Sequence, residues 1–200
     1  TIYKANYFVR TALRILKEIT NFQFKNVDQF YLKCKNVKWS DYFGLEQNFV
    51  INSTVVNSQE FRNSMFASLR VKDAIVDRMR EVTQQRPSTG SDLAGAVVYL
   101  FWKNDEAEIF LDTSGDSLAR HGYRKLPGKA PMLEALAAAT ILSTKWNKFG
   151  AFVNPMCGSG TLAIEAALIA TKRAPGLFRN NYAFMHIIGY DKKVYEQERT

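Results

Sequence analysis

Apolar positions along the chain switch between a helical and a strand period. Val9, Ala12, Leu13, Leu16 and Ile19 recur at helical spacing and predict an early amphipathic helix. Val27 to Val37 predicts a second helix, with Asp28 near its start and Lys33, Lys35 and Lys38 toward its end, where each sign suits the helix dipole. Phe49–Val56 is rich in β-branched residues and predicts a strand. A turn with capping candidates over 58–64 leads into a long helix, Met65 to Val82, with Met65, Leu69, Ile75 or Val76, Met79 and Val82 along one side. A loop over 86–90 follows. Ala96–Trp102 and Ala107–Asp112 then predict two strands of a hairpin joined through 103–106. Residues 113–130 read as a linker, and Pro131 opens a helix running to about Trp146. Ala151-Phe-Val153 reads as the end of a buried strand, broken by Asn154 and Pro155. Thr161–Ala170 is a strong helix, ended by Lys172-Arg-Ala-Pro-Gly176. Beyond it, Ile187-Ile-Gly-Tyr-Asp191 is too short, and too far from Gly160, for a convincing second strand with a ribose-binding acid, and Lys192–Arg199 predicts an exposed helix. The order of elements is that of an α/β protein.

Two hundred residues suggest one or two domains, and an apolar fraction of 46% is ordinary for a folded chain with a sizeable core. No apolar run approaches a membrane span, and the start does not read as a signal peptide. Cys34 and Cys157 form no disulfide framework or metal-ligand spacing, which points to a reducing compartment and a cytoplasmic protein without a metal. Charge changes the picture more. The net charge is +8, and residues 1–38 hold eight Lys or Arg against Glu18 and Asp28. Such an excess suits a polyanionic partner. Arg10 and Arg14 fall on a different face from the apolar stripe of the first helix. Arg62, Arg70 and Lys72 lie on or just before the long helix, mixed with Asp73, Asp77 and Glu81, a mixture that equally suits a solvated face. Arg120, Tyr123 and Arg124 put basic and aromatic residues together in the linker. These eight are the candidate RNA contacts. Tyr99, Phe101 and Trp102 could stack bases, but core packing is the simpler role.

The densest chemistry lies in Asn154-Pro-Met-Cys-Gly-Ser-Gly-Thr161. A strand end, a glycine turn and a helix start direct free backbone N–H groups and a helix dipole at a polar ligand. Gly158, Gly160 and Ala163 fit G-x-G-x-x-A, a form of the dinucleotide fingerprint, but the acid expected roughly 20 residues on is missing. No Lys follows the last glycine, so a nucleoside-triphosphate loop is excluded. Cys157 could serve as a nucleophile, yet no His lies nearby in sequence to activate it.

The loop with Ile164-Glu-Ala-Ala167 and Ala174-Pro-Gly176 resembles motif I of the THUMP-domain, class I S-adenosylmethionine-dependent RNA methyltransferases, whose usual form begins with Asp. Here Asn154 takes that place, and an uncharged amide would hold an ammonium group more weakly. The resemblance extends along most of the chain. Asp112–Leu118, His121-Gly-Tyr-Arg124 and Ala130–Glu134 resemble that family's linker and the helix before motif I. Trp39–Phe43 and Arg62–Ala74 resemble its THUMP module. Within the family, the chain is most similar to the bacterial 23S rRNA guanine-N2 methyltransferases.

The resemblance implies four segments: a partial ferredoxin-like domain over 1–40, a THUMP RNA-binding domain over 41–113, a linker over 114–130, and the first part of a Rossmann-like methyltransferase domain over 131–200. It implies S-adenosylmethionine as cofactor, held by Asn154, Pro155, Cys157, Gly158, Ser159, Gly160 and Thr161, with Pro131 and Glu134 closing the pocket. It implies RNA as partner, 23S rRNA before tRNA, and methylation of a guanine amine by direct displacement. No Asn-Pro-Pro-Tyr or Asp-Pro-Pro-Tyr tetrapeptide, which would hold the target amine, occurs in the sequence, so the catalytic residues stay unassigned and the chain reads as a fragment of an enzyme, inactive by itself. Two other readings stay open: an RNA-binding module without activity, and an NAD-dependent oxidoreductase.

Overall fold

The computed structural model describes residues 1–57, 64–90, 95–126 and 130–199. They form two compact units.

One unit comprises Leu16–Gly115 and Asn181–Asp191. Its elements are β1 (Leu16–Gln23), α2 (Val27–Lys35), β2 (Phe49–Val56), α3 (Ser64–Thr83), β3 (Ala96–Lys103) and β4 (Glu106–Asp112), following α1 (Ile2–Phe8), which belongs to the other unit. The strands form one sheet in the order β1-β4-β3-β2. β2 and β3 run parallel from Phe49 opposite Ala96 to Val56 opposite Lys103. The α3 crossover makes that direction possible. β3 and β4 form an antiparallel hairpin, and β1 pairs antiparallel with β4. Trp102 is buried beneath Phe24 and Phe30, with ring centroids 4.5 and 4.6 Å away. Trp39 is buried too and donates its indole N–H to the Cys34 carbonyl at 2.9 Å. These rings, with α3's Ala67, Val71, Ala74 and Ile75, make the core.

The early amphipathic helix does not form as expected. Helix occupies Ile2–Phe8, and Leu16–Gln23 is an edge strand. Thr1 caps α1, accepting from the Lys4 N–H at 3.4 Å. Leu16 and Ile19 instead share a strand whose β-branched Ile19 and Thr20 suit a sheet. The expected boundary between residues 40 and 41 thus falls inside this unit.

The other unit comprises Thr1–Ile15, Asp116–Asn180 and Lys192–Thr200. It contains α1, α4 (Glu134–Leu142), α5 (Thr161–Ala170) and α6 (Lys192–Glu198). Ala138 and Ile141 of α4 pack on Ala166 and Ile169 of α5, the small residues letting the helices close up. Tyr3 of α1 meets Tyr195 of α6 edge-on at 5.8 Å. Two expectations change here. Helix α4 starts at Glu134, after extended Leu133 (ψ 137°), so Pro131 precedes it instead of opening it. Ala151–Val153 is irregular and exposed, since no neighbouring strand pairs with it among the described residues.

Candidate functional site

The glycine loop turns sharply into α5. Gly158 and Gly160 have φ of +51° and +79°, a region in which a side chain is strained. The Gly160 N–H closes the turn on the Cys157 carbonyl at 2.8 Å. A Cβ at Gly158 would meet nothing within 4 Å, so the backbone there borders open space. Gly160 caps α5 without any side-chain bond, leaving the first-turn N–H groups and the positive end of the dipole directed at the loop. The Asn154 Nδ2 is buried and has no hydrogen-bond partner among the described residues. Ser159 and Cys157 are exposed, whereas Thr161 is buried.

One guanidinium ties this loop to the segment before α4. Arg124 donates from Nε to Glu134 Oε1 at 3.1 Å and from Nη1 to Ser159 Oγ at 2.9 Å. Its Nη2 donates to the Met132 carbonyl at 3.0 Å and to Thr161 Oγ1 at 2.9 Å. Glu134 is only 4% exposed, so its charge needs this partner. Arg124, Arg120, Gly122, Pro131, Met132 and Glu134 line a cavity of about 500 Å³. Pro131, Glu134, Ser159 and Thr161, expected at one site from sequence, are thus joined to one another through Arg124 and this cavity.

A second buried cluster surrounds Glu165, one turn into α5. His121 Nδ1 lies 2.7 Å from Glu165 Oε1, and its Nε2 lies 3.2 Å from the Arg10 carbonyl. Arg10 Nη1 stands 3.5 Å from Glu165 Oε2, and Arg10 also donates to the Arg173 carbonyl. Burial lowers the pKa of Arg10, and the Glu165 charge opposes that shift. Burial raises the pKa of the Tyr123 hydroxyl, and Glu165 raises it further.

Three of the residues expected as RNA contacts lie beside these clusters. Arg10 and Arg124 stand against buried Glu165 and Glu134, and Tyr123 is half-buried, its hydroxyl without a hydrogen-bond partner among the described residues. Arg120 is exposed at the cavity, and Arg14 is half-buried before β1. Arg70 lies over the Phe66 ring at 5.6 Å. Lys72 borders a groove between β2 and α3 with Met65 and Leu69. Arg62 lies outside the described residues. Sequence reasoning missed Arg124 as part of the glycine-loop site and Glu165 as a cluster centre. A usable signal existed for Glu165: it is the one acid in the apolar run 161–170, and a buried charge must find partners. Among the described residues no group of His, Cys, Asp and Glu is arranged to hold a metal ion, and no helix is long and apolar enough to cross a membrane.

Residues 24–112 match the THUMP domain family, and residues 121–200 match the RMKL-like methyltransferase domain family. The chain joins a THUMP domain to an RMKL-like methyltransferase domain. The glycine loop, the Arg124 fork and the Glu165 cluster all fall within or beside the methyltransferase match, while the four-stranded sheet falls largely in the THUMP match. Three solved structures are similar over 99% of the chain. One, from Clostridium difficile 630, is described as a possible methylase, with 33% identity and a TM-score of 0.87. Another, from Listeria monocytogenes, is described as a predicted N6-adenine-specific DNA methylase, with 33% identity and a TM-score of 0.83. The third, SMU.472, is assigned as a methyltransferase and was solved with SAH bound, with 29% identity and a TM-score of 0.83. The chain spans about half the length of these structures, 52% in each case.

Proposed function

We propose that this THUMP–methyltransferase chain serves an S-adenosylmethionine-dependent RNA methyltransferase that modifies the N2 amine of a guanine in 23S rRNA. The observation that carries the cofactor reading is the uncapped start of α5 behind Gly158 and Gly160, where the backbone borders open space. The residues fit the amino-acid end of such a cofactor. First-turn N–H groups and the buried Asn154 Nδ2 are donors for its carboxylate, and Arg124 adds positive charge beside them. The structure of SMU.472 with SAH supports the same ligand class. When bound, the cofactor supplies an electrophilic methyl group. This chain's own part is to bind and orient: the glycine loop fixes the donor, and positioning accounts for much of the rate. The THUMP match and the basic charge support RNA as the partner. The guanine amine and 23S rRNA rest on the sequence resemblance.

The experiment is to incubate the whole enzyme that this chain serves with S-adenosylmethionine and with 23S rRNA, tRNA or duplex DNA, then resolve the nucleosides by mass spectrometry. N2-methylguanosine from 23S rRNA is the expected product. Methylated tRNA would move the substrate within RNA. N6-methyladenine in DNA would instead carry over the description given to the Listeria neighbour and overturn the RNA reading.

A further inference from the structure

We infer that Arg124 is a positioning residue that sets the glycine loop before any ligand arrives. The cofactor half of this inference rests on the function proposed above; the loop-setting half does not. A guanidinium offers five N–H groups in a rigid plane. Here the four bonds to Glu134, Ser159, Met132 and Thr161 use four of them, leaving one Nη1 N–H for a ligand acceptor. The acceptors come from three places: the segment before α4, the first residue of α4, and both sides of Gly160. Ser159 and Thr161 flank a glycine held at φ +79°, and their hydroxyls lie 3.3 Å apart. Holding both hydroxyls fixes the direction in which the loop enters α5. Glu134 in turn holds the guanidinium at 3.1 Å, and removing that cation would leave a buried carboxylate without its partner. Lysine could not substitute, because its ammonium is a point charge with three donors and no plane.

The loop carries its own reporter. Cys157 is exposed, whereas Cys34, the only other cysteine, is buried. The alkylation rate of Cys157 by iodoacetamide therefore reads the state of the loop without cofactor. The test compares wild type, Arg124→Lys, Ser159→Ala/Thr161→Val, and all three changes together. Thermal melting reports the fold and calorimetry reports SAH affinity. Arg124→Lys is expected to change the Cys157 rate several-fold and to weaken SAH by about tenfold, the worth of one charged hydrogen bond. The hydroxyl pair is expected to do the same, and the triple change to add little, because all act through one contact set. An unchanged Cys157 rate in a folded Arg124→Lys protein, or fully additive effects, would overturn the inference. Should Arg124→Lys not fold, the hydroxyl pair, which keeps Arg124 on Glu134, decides alone by the same criteria. Failure of wild type to bind SAH would remove the proposed function, while the alkylation rates would still decide the role of Arg124.

Discussion

At Glu165 the chain buries a carboxylate in the middle of an apolar helix, and its neighbours decide what that costs. His121 and Arg10 approach it from the linker and from beyond α1, so one side chain holds three distant segments of sequence together. Glu165→Ala would leave buried His121 and half-buried Arg10 without that carboxylate. We expect a loss of about 3 kcal/mol in urea unfolding, in the range for breaking a buried ion pair. A loss under about 0.5 kcal/mol would show that the cluster is solvated. Cysteine chemistry offers a second check at this scale. Burial pushes the Cys34 thiol well above its usual range, while Cys157 stands exposed in the loop. Ellman's reagent should titrate one thiol in the native protein and a second only after denaturation; two fast thiols would contradict the packing around Trp39 and Cys34.

Among the elements, β2 and β3 approach closely, as Gly95 shows. A Cβ there would lie 1.9 Å from the Asn48 carbonyl oxygen, just where β3 begins beside β2. Gly95→Ala should cost about 1–3 kcal/mol by overpacking, read as a lower melting temperature. An unchanged melting temperature would mean that this strand entry yields freely. The β2–α3–β3–β4 run was legible in the sequence. Phe49–Val56 and Ala96–Trp102 have β-branched and aromatic residues bounded by turns, and the periodicity of α3 extends over twenty residues. β1 was not legible. Leu16 and Ile19 continue a helical spacing from Val9, and only pairing with β4, some ninety residues on, makes them a strand. The glycine loop was readable because Gly158 and Gly160 have a local conformational reason to be there. The roles of Arg10, Tyr123 and Arg124 were not, because a basic residue beside an aromatic looks alike whether it meets phosphate or a buried carboxylate.

For the whole molecule, the excess of +8 bears on association more than on folding. If the THUMP-containing chain binds RNA as proposed, its affinity should fall roughly tenfold or more between about 50 and about 200 mM salt. Affinity indifferent to salt would remove the phosphate backbone as the partner. With Arg10 and Arg124 paired to carboxylates inside their unit, replacing exposed Arg120 or half-buried Lys72 should weaken RNA binding more than replacing half-buried Tyr123 by Phe. The proposed S-adenosyl site at the start of α5 is tested by calorimetric titration with SAH and, separately, NAD. We expect SAH to bind, NAD not to bind, and Gly158→Val, which forces a β-branched residue to φ +51°, to abolish SAH binding while leaving RNA affinity in place. Binding of NAD without SAH, or SAH affinity indifferent to Gly158→Val, would contradict the proposal.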